Sequence, residues 1–116
     1  MIYKGSCHCA KIQFEFTSPL IENGTRCNCT ICVRKGALMT EFTLAPKDIN
    51  ISIKDNALST YTFASHVAKH HFCNNCGVYT FHQSMKEIGY YRINLGCVET
   101  IDTSTLPFSI YDGASI

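Results

Sequence analysis

Seven of the eight cysteines in this 116-residue chain stand in three short groups: Cys7-His8-Cys9, Cys27-Asn28-Cys29 with Cys32, and Cys73-Asn74-Asn75-Cys76-Gly77. Thiolates this close together hold soft metal ions, exchange disulfides or attack electrophiles, and the flanking residues decide which. In the third group, a CxxCG turn between two strands aims both thiolates at one metal, and Gly77 gives the backbone freedom to leave the turn. A redox dithiol of the thioredoxin type needs its CxxC at a helix start within a βαβ unit. The flanks here, His70-His71-Phe72 and Val78-Tyr79-Thr80-Phe81, read as strands, which favours the metal.

A tetrahedral zinc takes four ligands, so Cys73 and Cys76 need a second pair. Cys7 and Cys9 supply one with nothing over, whereas Cys27, Cys29 and Cys32 would leave a thiol unused. A site closed by Cys7, Cys9, Cys73 and Cys76 stitches the N-terminal hairpin to the middle of the chain and contributes directly to folding. Cys27, Cys29 and Cys32 then stand as three ligands, the pattern of a catalytic zinc with an open fourth position for water or substrate. Substrate thiolates suit that position, because sulfur binds zinc strongly and is held deprotonated by it. Completion of this site by Cys97 or a histidine is the competing reading, and spacing alone leaves both open.

Strands must hold these groups. Ile12, Phe14 and Phe16 alternate with Lys11, Gln13 and Glu15, and Ile49, Ile51 and Ile53 with Asn50, Ser52 and Lys54, each the period of a half-buried strand. Aromatic and β-branched runs predict further strands at 38–42, 60–63, 67–72, 78–82 and 90–95. Ser18-Pro19, Asn23-Gly24, Pro46-Lys47-Asp48, Asp55-Asn56 and Asp112-Gly113 mark turns between them. The one helical turn expected covers residues 30–35, just after the CxC and bracketed by Gly36. No linker, repeat or composition shift interrupts the chain, so residues 1–116 read as a single zinc-binding domain, mainly β with short loops and little helix.

Composition narrows the partners. A hydrophobic content of 46% against 16% charged residues suffices for a core. The net charge is +1 and the basic residues are scattered from Lys4 to Arg92, which excludes an electrostatic footprint for nucleic acid. No run approaches the roughly 18 apolar residues of a membrane span, so no membrane partner is expected. The N-terminus reaches Cys7 without an apolar leader, which predicts a cytoplasmic protein, where clustered cysteines bind metals or catalyse more often than they form disulfides.

The segments KGSCHCAKIQFEF, CNCTICVRKGAL, STYTF, KHHFCNNCGVYTF and INLGCVE, in this order, resemble the glutathione-dependent formaldehyde-activating family and its centromere protein V relatives. The likeness runs from Tyr3 to about Gly113. It implies an Mss4-like fold, a β-rich zinc-bearing architecture. It also implies a structural zinc on Cys7, Cys9, Cys73 and Cys76, and a catalytic zinc on Cys27, Cys29 and Cys32. The activity implied is condensation of formaldehyde with glutathione to S-(hydroxymethyl)glutathione, formally a carbon–sulfur lyase run in the synthetic direction. The expected partner is thus a small thiol such as glutathione, or its aldehyde adduct. A non-catalytic zinc module that binds a protein partner is the alternative on the same fold. A reductase of the methionine-sulfoxide type would need a resolving thiol beside Cys97, which the pattern does not offer.

Other residues carry less. Arg34 and Lys35 attract a carboxylate-bearing thiol or form a solvated turn. Cys97 reads as a small buried hydrophobe at a strand end. His8 points away from the metal, only one of His70 and His71 is expected to face the core, and His66 and His82 suggest no constellation. Phe14, Phe16, Phe63, Phe72 and Phe81 read as core.

Overall fold

The computed structural model describes residues 1–115. Three small sheets share one core. The first is antiparallel, in the order β1 (Ile2–Ser6), β2 (Ile12–Thr17), β4 (Ile49–Ile53). The second is antiparallel through β5 (Leu58–Tyr61), β6 (Lys69–Cys73), β7 (Tyr79–Gln83) and β8 (Tyr91–Ile93). The third pairs β3 (Gly24–Cys27) with β9 (Phe108–Tyr111) in parallel. The single α-helix among the described residues, α1 (Thr30–Lys35), follows β3 directly.

The period-two pattern of β2 sends Ile12, Phe14 and Phe16 into the core. Phe14 meets Phe81 of β7 edge-on, ring centroids 5.8 Å apart, and so joins the first two sheets. Opposite Phe14 stands Gly5, and a Cβ there would lie 2.5 Å from both the Phe14 ring and the Cys97 carbonyl oxygen. Only glycine permits that approach. On β4 Ile49 is buried while Ile53 is exposed, because the strand forms the sheet's edge and runs off the core.

The mainly β expectation holds, with differences of detail. Residues 38–42 form no strand: Leu38, Met39 and Thr40 are buried, but only Met39 bridges, to Thr25 and Asn94. The segment fills a gap between two sheets instead of extending either. β9 escaped the sequence reading because all four of its residues are exposed, leaving no alternation to see. Phe63 is not core; it is 39% exposed and stacks on Tyr61 at the surface. Among the described residues no helix is long and apolar enough to cross a membrane.

Each cysteine group lies where a strand ends: Cys7 and Cys9 in the β1–β2 turn, Cys73 and Cys76 in the β6–β7 turn, and Cys27, Cys29 and Cys32 across the β3–α1 junction.

Candidate metal centres and the cleft beside the helix

The two strand turns make matching knuckles. In one, the Cys7 N–H donates to the Ile12 carbonyl (3.0 Å), and the Ile12 N–H donates back to Cys7 Sγ (3.4 Å). In the other, the Gly77 N–H donates to the Cys73 carbonyl (2.8 Å), with Gly77 at φ +79°. The Asn75 and Cys76 N–H groups point at Cys73 Sγ, at 3.4 and 3.5 Å. Backbone donors aimed at sulfur stabilise thiolate. All four Sγ atoms lie within 4.8 Å of one another. Cys7 to Cys9 is 3.7 Å and Cys9 to Cys73 is 3.6 Å. Sulfurs at about 2.3 Å around a tetrahedral zinc stand about 3.8 Å apart, close to the Cys7–Cys9 and Cys9–Cys73 separations.

Their protonation is uneven. Burial pushes Cys7 up to about 11. The Asn75 side chain and then the Lys11 N–H pull Cys9 down to about 6. Neighbouring thiols share protons in this way until a metal displaces them all.

Cys27 closes β3, Cys29 caps the N-terminus of α1 and Cys32 lies within the helix, so one chain reversal brings three Sγ atoms within 4.8 Å of one another. The helix stops at Gly36, which takes the left-handed conformation at φ +65°. Asn28, between two of the thiols, anchors the C-terminal segment. Its Nδ2 donates to Asp112 Oδ1 (3.0 Å), and its Oδ1 accepts from the Ala114 N–H (2.9 Å). The strap so held crosses the thiols at Gly113, where a Cβ would lie 2.5 Å from Cys27 Sγ. Burial, then Cys29 and Cys27, push Cys32 up to about 12. Burial also opposes ionisation of Cys29, but the Cys32 N–H and the Cys32 and Cys27 thiols outweigh it and hold this thiol below its ordinary range.

Both groups could hold a metal ion, and among the described residues no histidine, carboxylate or eighth cysteine joins either. Cys97 sits in a short 3-10 turn, Leu95–Cys97, with its Sγ 3.6 Å from the Tyr79 carbonyl oxygen. His8 is exposed.

The structure also assembles a cluster that the sequence did not suggest. His70 and His82 face each other across β6 and β7, ring centroids 5.5 Å apart. Lys35 of α1 reaches over them: its Nζ is 2.5 Å from His70 Nδ1 and 3.7 Å from the centre of the Tyr79 ring. The Tyr79 hydroxyl is hydrogen-bonded to His82 Nδ1. His71 is buried on the other face, against Phe81, between Thr60 Oγ1 and Gln83 Oε1. The adjacent histidines do point to opposite faces, His71 toward the core, and His70 is buried as well because α1 and Phe63 cover the other side of the sheet. His82, set aside in the sequence, belongs to the cluster. Burial, and after it Lys35, hold His70 at about 4 and His82 at about 3, so both are neutral at pH 7.

Beside α1 opens a cleft of about 490 Å³ lined by Thr30, Ile31, Arg34, Lys35, Tyr61 and Phe63. Arg34 is exposed there, while Lys35 is half-buried, so the two charges are not equivalent.

A crystal structure of a Rhodobacter sphaeroides protein matches this fold with a TM-score of 0.79 and 30% identity, covering 91% of this chain and 99% of that one. Residues 2–112 match the family described as glutathione-dependent formaldehyde-activating enzyme. With its β-rich fold and its two thiol groups placed at strand ends, the chain belongs to the glutathione-dependent formaldehyde-activating enzyme family.

Proposed function

We propose that the protein is a zinc-dependent enzyme of the carbon–sulfur lyase type. Its substrates are a small thiol such as glutathione and the adduct of that thiol with an aldehyde. Cys7, Cys9, Cys73 and Cys76 hold a structural zinc, and Cys27, Cys29 and Cys32 hold a catalytic one. The observation that carries this reading is the ligand count, since four clustered thiols make a closed site and three thiols make an incomplete one. Family membership supports the choice of thiol and aldehyde. When bound, the second zinc supplies a Lewis-acid position that favours a sulfur ligand as thiolate.

The chain's own residues do the rest. Arg34, braced by donation from Nη1 to the Thr30 carbonyl (2.8 Å), presents its guanidinium to the cleft and attracts a substrate carboxylate. Tyr61 and Phe63, stacked with centroids 5.7 Å apart, give the substrate's carbon skeleton an apolar wall. Gly113 keeps side-chain bulk away from Cys27. The setting proposed is the cytoplasm, where thiols stay reduced.

Metal analysis with and without glutathione tests the reading. Two zinc ions per chain are expected. After cobalt substitution, the thiolate-to-metal absorption of one site should change on adding glutathione. One metal per chain, or two that ignore every thiol tried, would remove the catalytic site.

A further inference from the structure

We propose that Lys35 is the proton donor to the aldehyde oxygen when the carbon–sulfur bond forms beside Cys27, Cys29 and Cys32, and the proton acceptor when that bond breaks. This rests on the enzyme reading above and adds a residue to it. Lys35 lies three positions after Cys32 on α1, which puts both on one helix face. It also lines the cleft where substrate would lie. Its ammonium has no carboxylate partner, for the one ion pair among the described residues joins Lys11 to Asp55. A half-buried cation held by a neutral imidazole and a π face, on the same helix face as a thiol of the cluster and with no carboxylate beside it, is placed for chemistry more than for stability.

Of the proton-bearing groups gathered here, Lys35 is the one that lines the cleft. The titratable and charged groups facing it are Cys27, Cys29 and Cys32 from the β3–α1 junction, His70 of β6, and Tyr79 and His82 of β7, with His71 on the opposite face of β6 and Arg92 of β8 beyond Tyr79 and His82. The histidines are neutral, and burial holds the Tyr79 hydroxyl far above its ordinary value. Burial, opposed by the thiols, brings Lys35 down to about 8, where both of its forms are accessible near neutral pH.

The step balances without an oxidant. The substrate thiolate attacks the carbonyl carbon, a C–S bond forms, and the C=O π pair moves to oxygen. That oxygen takes a proton from Lys35 Nζ and becomes a hydroxyl. The neutral amine recovers a proton from the next thiol as it ionises, so thiol and aldehyde give the hydroxyalkyl thioether and nothing else.

The test compares wild type, Lys35→Arg and Lys35→Met, all zinc-loaded, using glutathione and ¹³C-formaldehyde with adduct exchange followed by NMR. Arginine keeps the charge but holds its proton at neutral pH. Both variants should lose about 10²- to 10⁴-fold in kcat. Both should also lose the limb of the pH profile that belongs to Lys35. Zinc content and glutathione affinity by calorimetry should stay close to wild type, far short of the loss in kcat. If Lys35→Arg keeps the wild-type kcat, charge alone suffices and the proposal fails. If affinity falls as far as kcat, Lys35 is a binding group and the proposal also fails. If wild type itself gives no acceleration, the enzyme reading fails and this one with it, whereas acceleration that survives both substitutions removes this proposal alone.

Discussion

Gly113→Ala probes the second thiol group with the smallest possible perturbation. The added Cβ would lie 2.5 Å from Cys27 Sγ and 3.3 Å from Cys29 Cβ. Non-bonded heavy atoms settle at about 3.5–4.0 Å, so the first contact is about 1 Å too short. Overpacking of this kind costs about 1–3 kcal/mol. Where the cost falls is decided by the metal. A metal-free thiol can rotate about χ1 and the strap can lift at the loss of two Asn28 hydrogen bonds, each about 1 kcal/mol. A liganded Cys27 sulfur cannot rotate, so most of the penalty appears in the loaded state. Zinc affinity at Cys27, Cys29 and Cys32 should therefore fall about 5- to 150-fold, while the Cys7, Cys9, Cys73 and Cys76 site is unchanged. Competition against a chromophoric chelator resolves the two sites in one titration. If Gly113→Ala and the bulkier Gly113→Val both release zinc at the wild-type chelator concentration, the strap does not pack on Cys27 as described.

Further outcomes follow from the same geometry. Cys73→Ser should cost several kcal/mol in urea denaturation and prevent stable folding, whereas Cys29→Ser should fold, keep one zinc and lose thiol-dependent activity. Equal destabilisation by the two would argue against distinct roles. Cys97→Ser should leave zinc stoichiometry unchanged, since Cys97 stands outside both clusters, and loss of either zinc would contradict that. His70 and His82 are neutral in the folded state with depressed values of about 4 and 3. Between about pH 6.5 and those values the unfolded chain binds more protons, so stability is full above pH 6.5 and falls as pH drops through that window. The slope is at most about 1.4 kcal/mol per pH unit for each histidine. Denaturation at saturating zinc should show it, and His70→Gln should make it shallower; an unaltered slope would mean that His70 is not buried neutral. Phe63→Ala should change stability by less than about 1 kcal/mol because the ring is surface-exposed, yet raise KM for the thiol adduct; an unchanged KM would remove the apolar wall from the cleft.

The elements nearest the cysteines were the most legible. The helical turn at Thr30–Lys35 appears where the sequence placed it, because Gly36 supplies the left-handed stop that a short helix needs. β2 and β4 were legible because each has one buried face and one wet face. The strand expected at 38–42 was misread because burial there comes from filling a gap between sheets, which looks like a strand pattern but makes no ladder.

By itself the sequence determined the composition of the two thiol groups, since pairing in a CxC or CxxCG turn is local chemistry. Which turns meet, and at what sulfur spacing, was decided by the tertiary structure. So were the meeting of Lys35 with His70, Tyr79 and His82 and the crossing of Gly113 over Cys27. Those contacts depend on strand register, including the shift between His71 and Phe72, and on how α1 lies over the sheet. A slip of one residue would turn His70 and His82 to the opposite face, and no local pattern forbids that slip. Only the packing of the whole core does.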